Sequence, residues 1–386
     1  MEHAVQVATA KKFIEFLDTN TTAMASALYR NPVRQYTCPS RLAREKDELF
    51  RGYPVHLGFS CEILEPGDFR ADDFSGVPIL LVRGADGEAY AFLNVCRHRG
   101  APVAEGCGKG HRAFTCPYHG WVYGVDGALQ YIPGENGFES LDTAAHGLTR
   151  LPVQEKYGMI WAMTAPGPSF EIDDTLEGVE RDLASYGFES FHHFETGVLR
   201  PKMNWKLVID TFLESYHIKV LHHRSIASLI ESNVQTFDGF GRNHRGIYVR
   251  KNFNELCAQP EAEWNILPYT TMVYVLFPNT VLVVQQEQVE TWRIFPDGDD
   301  PNRAKMHVSL YTPEPPMTES ATRHWRNNMD LLMQVVEEED FPLGEKMQSG
   351  FHSPAQEHVT FGRNEPALSH FHGALDSALG LRAAAE

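Results

Sequence analysis

Two couplets in the chain pair a thiol with an imidazole: Cys96-Arg97-His98 and, after 17 intervening residues, Cys116-Pro117-Tyr118-His119. Each couplet lies in a glycine-bearing stretch next to a β-rich run, so the two stretches form loops able to face each other. Two thiolates and two imidazoles suit either a tetrahedral zinc ion or a two-iron, two-sulfide cluster with cysteines on one iron and histidines on the other. Zinc sites of the two-Cys, two-His kind keep Cys with Cys and His with His along the chain, so the alternating order favours the cluster. Cys107, between the couplets, has no matching partner and reads as a free thiol.

A second group of ionisable residues follows at Asp210, Glu214, His217 and His222. With Asn204 as an N-cap, residues 205–221 read as a helix. On that helix Asp210, Glu214 and His217 fall within about 60° of one another, and His222 lies about 140° from His217. Three ionisable groups on an otherwise apolar stripe are costly to bury without a partner, and a metal ion would supply one. The two histidines can share an ion only if the helix bends or ends between them, and on geometry alone His223 competes with His222. A site of two histidines and one carboxylate with open positions is the mark of ferrous iron that activates O2. The acidic run Glu337-Glu338-Glu339-Asp340 holds the candidates for the carboxylate, although most such runs are solvated helix ends.

These groups must be held by a scaffold of 386 residues, 42% hydrophobic, with a net charge of −17. The length allows two or three domains. The acidity argues against nucleic acid and against anionic membranes as partners. Six cysteines are too few for a disulfide-dense secreted fold, and residues 1–10 lack a signal-peptide layout, so a cytoplasmic protein is expected. The most apolar stretches, 272–277 and 281–284, are broken by Pro278 and fall short of the ~20 residues of a spanning helix.

Three blocks emerge. Residues 1–48 read as an N-terminal helical arm, with apolar spacing that predicts one or two helices over 11–29. Residues 49–166 hold short β-rich runs at 55–64, 77–82, 89–95, 121–125 and 158–163 and read as a small all-β domain. Beyond a Pro/Gly-rich seam at 165–169, residues 167–386 mix helical patterns at 205–221 and 320–341 with strand patterns at 272–277, 281–289, 291–295 and 306–311. The whole is an α+β chain whose C-terminal domain carries an antiparallel sheet flanked by helices. Order is expected throughout except in the tail 380–386.

With these residues in view, the first constellation resembles the Rieske domain, whose Cys-x-His and Cys-x-x-His-Gly-Trp pattern is matched by Cys96, His98, Cys116, His119, Gly120 and Trp121. Rieske proteins of the respiratory complexes carry an additional cysteine in each loop. Ala101 and Tyr118 occupy those positions here, so the likeness is to the oxygenase branch. The second constellation, Asn204-Trp205-Lys206 followed by Asp210, Glu214, Tyr216-His217 and His222, resembles the iron segment of Rieske non-haem iron oxygenase α subunits, the ring-hydroxylating family. Gly362-Arg363-Asn364-Glu365 and His370-Phe371-His372 extend the likeness toward the C-terminus.

The resemblance implies a [2Fe–2S] cluster on Cys96, His98, Cys116 and His119, and one mononuclear Fe(II) on His217, His222 and Asp340, with Glu339 as runner-up for Asp340. It assigns catalytic roles to Asp210, near the iron, and to Glu214, the carboxylate linking one subunit's cluster to its neighbour's iron. Most of the family has Asp at the latter position, and Glu resembles the carnitine monooxygenase branch. The implied protein is the terminal oxygenase of a multicomponent system. Electrons from NAD(P)H arrive through a reductase, a ferredoxin or both, and O2 is used to hydroxylate or oxidatively N- or O-dealkylate a small organic substrate, an aromatic one being favoured. A homotrimer is implied. Arg97, Arg99, Lys109 and Arg112, around the cluster loops, offer a dock for an acidic ferredoxin, and Phe212 is a candidate for a place beside the iron. The alternatives are a cis-dihydroxylating dioxygenase and a Rieske electron carrier without oxygenase activity.

Overall fold

The computed structural model describes residues 1–74 and 76–381 and resolves into two compact units. One comprises Phe50–Ile172 with Phe188–Ser190; the other comprises Met1–Leu49, Asp173–Gly187 and Phe191–Glu386. Of the tail expected to lack order, residues 382–386 lie outside the described residues.

The first unit is built of short antiparallel strands. Its largest sheet has five, in the order Arg150–Leu151, Ala89–Leu93, Val77–Arg83, Phe69–Phe74 and Cys107–Gly108. A three-stranded sheet joins Val153–Lys156, Met159–Ala162 and Val55–Phe59, and a small meander runs through Ala113–Thr115, Val122–Gly124 and Leu129–Tyr131. Cys96 follows the strand Ala89–Leu93, and Cys116 sits in the turn between the first two strands of the meander. Both sulfurs are buried in a core with Phe69, Leu80, Phe114, Trp121 and Tyr123.

The second unit is organised by a seven-stranded antiparallel sheet: β1 (His192–Leu199), β2 (Ile230–Phe240), β3 (Asn243–Arg250), β4 (Thr270–Leu276), β5 (Thr280–Val284), β6 (Val289–Pro296) and β7 (Ala304–Thr312). From β2 to β7 the chain meanders between neighbours, and β1 pairs with β7, so β1 and β2 form opposite edges. The segment 200–229 that joins them carries α1 (Trp205–Asp210) and α2 (Ile218–Leu221). After β7 come α3 (Glu319–Val335), a π-helical turn (Val336–Asp340) and α4 (Phe341–Gly350).

Three expectations are corrected. The N-terminal helix spans His3–Thr19 and ends with Asn20 in the left-handed region at φ 52°, so residues 21–29 are not helical and Met24 and Leu28 are exposed. The segment 1–48 is also not purely helical, because Tyr29–Pro32 pairs as a strand with His358–Phe361. The helix predicted over 205–221 stops at Asp210, and residues 211–217 are turn and irregular chain, so Glu214 and His217 do not share a helix face with Asp210. Strands β1, β2 and β3 escaped the sequence reading because polar residues interrupt their alternation, as in the Glu231-Ser232-Asn233 stretch of β2.

Helix α1 is anchored by charge. Asn204 caps it, its side chain accepting from the Lys206 amide at 3.0 Å. Lys206 Nζ contacts both oxygens of Glu45 at 2.8 and 2.7 Å, and neither side chain reaches solvent. Trp205 Nε1 and Arg41 Nε also donate to Glu45, each at 2.8 Å. Burial pulls the Lys206 ammonium below its ordinary range, and the Glu45 carboxylate opposes that pull. Removing one partner leaves the other charge buried and uncompensated, so Glu45→Gln should cost about 3–5 kcal/mol. Denaturant unfolding at matched iron content measures it; a loss below about 1 kcal/mol, the range of exposed pairs, would reject this anchoring role.

Candidate metal centres

The two cysteine loops close in the same way. The Cys96 amide donates to Ala101 O at 2.8 Å and the Gly100 amide to Cys96 O at 2.9 Å, while the Cys116 amide donates to Trp121 O at 2.8 Å and the Gly120 amide to Cys116 O at 3.0 Å. Gly100 at φ 84° and Gly120 at φ 74° take the left-handed turn that a side chain would resist. The loops present His98 and His119 with their Nδ1 atoms 3.1 Å apart and the His98 ring stacked on Trp121. Tyr123 Oη lies 3.3 Å from Cys96 Sγ and accepts from the Arg97 amide at 2.9 Å. Burial raises the Tyr123 hydroxyl well above its ordinary range, which keeps its proton available to the sulfur.

Around a single tetrahedral zinc, the four donor atoms would all lie about 3.3–3.8 Å from one another. Among the described residues, the one group of three or more such donors within 4.8 Å of one another is His217, His222 and Asp340. The loop residues therefore do not converge on one ion. A close histidine pair and two buried thiols fit a two-centre cluster instead.

In the second unit, the break after α1 lets the chain fold back. His217 and His222 bracket the single turn of α2, and their Nε2 atoms stand 3.1 Å apart. Asp340 Oδ1 lies 3.3 Å from His222 Nε2 and 3.8 Å from His217 Nε2. Donors at right angles around a first-row metal, with bonds of about 2.1 Å, would sit about 3 Å apart, so the trio fits a shared ion.

The opposite ring nitrogens are held by carboxylates. His217 Nδ1 donates to Glu214, which also accepts from the amides of Tyr216 and His217, and His222 Nδ1 donates to Glu339 at 2.5 Å. Placing both protons on Nδ1 leaves the Nε2 lone pairs aimed at the metal position. Ser225 Oγ donates to Glu339 at 2.6 Å.

Asp340 is brought to the histidines by the π-helical turn after α3, a local widening of the helix frequent at functional sites. The runner-up Glu339 stands behind His222, at the ring's far side. His223 turns outward, its Nδ1 bonded to Val220 O at 3.0 Å. Asp210 is not among the three converging donors. It accepts from Tyr36 Oη at 2.6 Å and from His372 Nε2 at 2.9 Å in a buried network that includes Asn31. Sequence spacing did not signal that network, whose members are up to 341 residues apart.

The three converging residues line a cavity of about 540 Å³. Its floor is the sheet, with Tyr248 and Arg250 from β3, Val273 from β4, Val283 from β5, and Glu290 and Trp292 from β6; α3 supplies Leu332 and the π-helical turn Val336. Phe212 also lines it, its ring 4.9 Å from that of Trp292. Burial pushes the Glu290 carboxyl up to about 6. Arg97, Arg99, Lys109 and Arg112 are all exposed on the first unit. Among the described residues no helix is long and apolar enough to cross a membrane.

Two folds with two distinct donor sets define the class. Residues 188–380 match the family model of the ring hydroxylating alpha subunit (catalytic domain), and residues 54–145 match that of the Rieske [2Fe–2S] domain. The chain therefore belongs to the ring-hydroxylating α-subunit family of Rieske oxygenase components, whose cofactors are a Rieske [2Fe–2S] cluster and a mononuclear iron. It is 34% identical over 196 residues to a glycine betaine monooxygenase oxygenase subunit of Chromohalobacter salexigens, a match covering 51% of this chain and 44% of the relative. The chain thus spans less than half the length of that relative. A chloroplastic choline monooxygenase of Atriplex hortensis is 27% identical over 350 residues, 88% of this chain and 76% of the relative. The crystal structure of a quaternary ammonium Rieske monooxygenase in complex with its substrate L-carnitine shares the fold at a TM-score of 0.77 and 21% identity, covering 92% of this chain and 96% of that one.

Because Glu339 orients a ring nitrogen without joining the trio, Glu339→Gln should weaken mononuclear metal affinity about 10- to 100-fold while leaving the cluster in place. Iron titration of the chelator-treated protein, followed by cluster absorbance, measures both. Unchanged affinity would mean that the Glu339 carboxylate does not orient His222.

Proposed function

We propose that the chain is the terminal oxygenase of a multicomponent system and acts as a monooxygenase on a small quaternary ammonium compound. The observation that carries this reading is the convergence of His217 Nε2, His222 Nε2 and Asp340 Oδ1 on the wall of an organic-sized cavity, in a chain with a separate two-centre site. Substrate class follows the relatives, which are named for glycine betaine, choline and a quaternary ammonium substrate, and this replaces the aromatic preference of the sequence reading. The same names favour monooxygenation over cis-dihydroxylation.

In this reading Cys96, His98, Cys116 and His119 hold the cluster in the domain 49–166, and His217, His222 and Asp340 hold iron in the domain 167–386. When bound, the cluster supplies single electrons and the mononuclear iron supplies O2 activation. The chain's own residues do the rest. Glu214 and Glu339 fix the ring orientations, while Phe212, Val273, Val283 and Trp292 give the cavity that the trio lines an apolar surface. Tyr248 Oη donates to Phe212 O at 2.8 Å and holds that loop against the sheet.

The electrons come from NAD(P)H through a reductase or ferredoxin, for which the exposed cations around the cluster loops are the proposed dock. The working assembly is a homotrimer in which Glu214 lies at the join with a neighbouring subunit. Tyr216, 61% exposed, and Val220, 79% exposed, put apolar surface on the same crossing segment as Glu214, surface that a neighbour would cover. The compartment is the cytoplasm, consistent with the four cysteines outside the cluster, Cys38, Cys61, Cys107 and Cys257, which are not in disulfides.

The test is a reconstituted assay with a NADH-dependent reductase, scoring product from glycine betaine, L-carnitine and choline against NADH consumed. Product matched to NADH, with about three irons per chain, is expected. About two irons and no turnover would instead mark an electron carrier. Asp340→Ala should lose the mononuclear iron and keep the cluster; retention of both sinks its assignment. Glu214→Gln should leave cluster reduction intact and abolish product, and near wild-type turnover in that variant refutes the linking role.

A further inference from the structure

The cavity holds one feature that iron binding does not explain. Glu290 projects from β6 and is 2% exposed. Its Oε1 accepts from Gln285 Nε2 and Gln288 Nε2, both at 2.7 Å, and its Oε2 accepts from Trp292 Nε1 at 3.2 Å. Asn328 Nδ2 of α3 in turn donates to Gln288 Oε1 at 2.8 Å. All three donors are neutral, and among the described residues no cation pairs with this carboxylate. A buried carboxylate without a counter-charge is costly, and a neutral glutamine would fill the same space.

The missing positive charge has a place to sit. Glu290, Trp292 and Phe212 line the cavity together, and the tilted Trp292–Phe212 pair offers aromatic faces of the kind that attract cations within about 6 Å. A carboxylate has about four acceptor positions, of which three are already taken here, so the site supplies negative charge with little capacity left for N–H donors. That suits a quaternary nitrogen, which has no N–H, better than a primary amine.

An opposite charge lines the same cavity. Arg250, half-buried at the end of β3, has no carboxylate partner among the described residues. Strands β6 and β3 are separated by β5 and β4, about 14 Å across the sheet, and the register that sets Glu290 in line with Val283, Val273 and Gly246 puts Arg250 four residues further along β3, so the two backbones stand about 20 Å apart. The reach of the glutamate and arginine side chains together shortens that gap to the scale of a small ligand.

We propose that Glu290, with Trp292 and Phe212, receives the quaternary nitrogen of the substrate and that Arg250 receives a carboxylate, so that the cavity selects a trimethylammonium carboxylate. This rests on the oxygenase reading and deepens it by assigning the specificity-determining residues.

The experiment is calorimetric titration of the iron-loaded protein with L-carnitine, glycine betaine, choline and 3,3-dimethylbutanol, the neutral carbon counterpart of choline. At least one of the two zwitterions should bind more tightly than choline, and choline more tightly than 3,3-dimethylbutanol. Glu290→Gln should weaken the ammonium ligands about tenfold or more and leave 3,3-dimethylbutanol unchanged. Arg250→Gln should weaken the zwitterions about tenfold and spare choline. The ranking on the wild type needs no variant, so a misfolded substitution does not remove the test. Equal wild-type binding of choline and 3,3-dimethylbutanol, or undiminished ammonium binding by a folded Glu290→Gln protein, overturns the cation subsite while the oxygenase reading stands. Loss of choline equal to loss of the zwitterions in Arg250→Gln overturns the carboxylate half. A wild type that binds none of the ammonium compounds overturns the substrate class itself.

Discussion

Strands β1 and β2 are consecutive among the strands of the large sheet yet lie at its opposite edges, so the segment between them must traverse the sheet. Six strand spacings amount to about 29 Å. A continuous helix could make the crossing, but its side-chain directions would repeat with the helical period and could not bring His217 and His222 to one point. The chain instead breaks after Asp210, turns, and resumes for a single turn of helix between the two histidines. The mononuclear site depends on that interrupted crossing, because it sets both histidines against a cavity whose floor is the sheet.

An interrupted crossing leaves backbone and ring orientations underdetermined, and carboxylates make up the deficit. Glu214 binds the amides of Tyr216 and His217 as well as the His217 ring, so one side chain fixes both the irregular backbone and the donor it carries. Glu339 does the corresponding work for His222 from a different element. The consecutive acids Glu339 and Asp340 thus face opposite nitrogens of one imidazole. The cluster loops solve their problem by another route: matched backbone hydrogen bonds, two left-handed glycines and the Trp121 stack supply rigidity without carboxylates.

What could be read from the chain followed from how local each feature was. Cys96, His98, Cys116 and His119 stand in two short loops, and their order along the chain already separated a cluster from a zinc clasp. The helix capped by Asn204 was visible too, since a cap is a local hydrogen bond. The pattern overstates its length because apolar residues continue through Phe212 and Leu213 after the helix has ended; burial of those residues reflects the cavity and the core, and helical continuation has no part in it. The charged partners of the site were hidden for a different reason. Glu290 gains its meaning from Gln285, Gln288 and Trp292 only after a hairpin has formed, and Asp210 from Tyr36 and His372, which are remote in sequence.

The N-terminal segment shows how far support for the site extends. Glu45 neutralises Lys206 inside the protein, and Tyr36 bonds Asp210 at the last residue of α1. Asn204, which caps the start of the same helix, is tied to the Tyr36 carbonyl at 3.0 Å and to Pro301 O at 2.9 Å. Both ends of α1 are therefore clamped by residues 36–45, and the break that delivers Glu214 and His217 begins where the second clamp acts. A helix of six residues has little stability of its own. Its position, and with it the starting point of the crossing, is set by these buried polar contacts, which makes the first 49 residues part of the scaffold of the iron site.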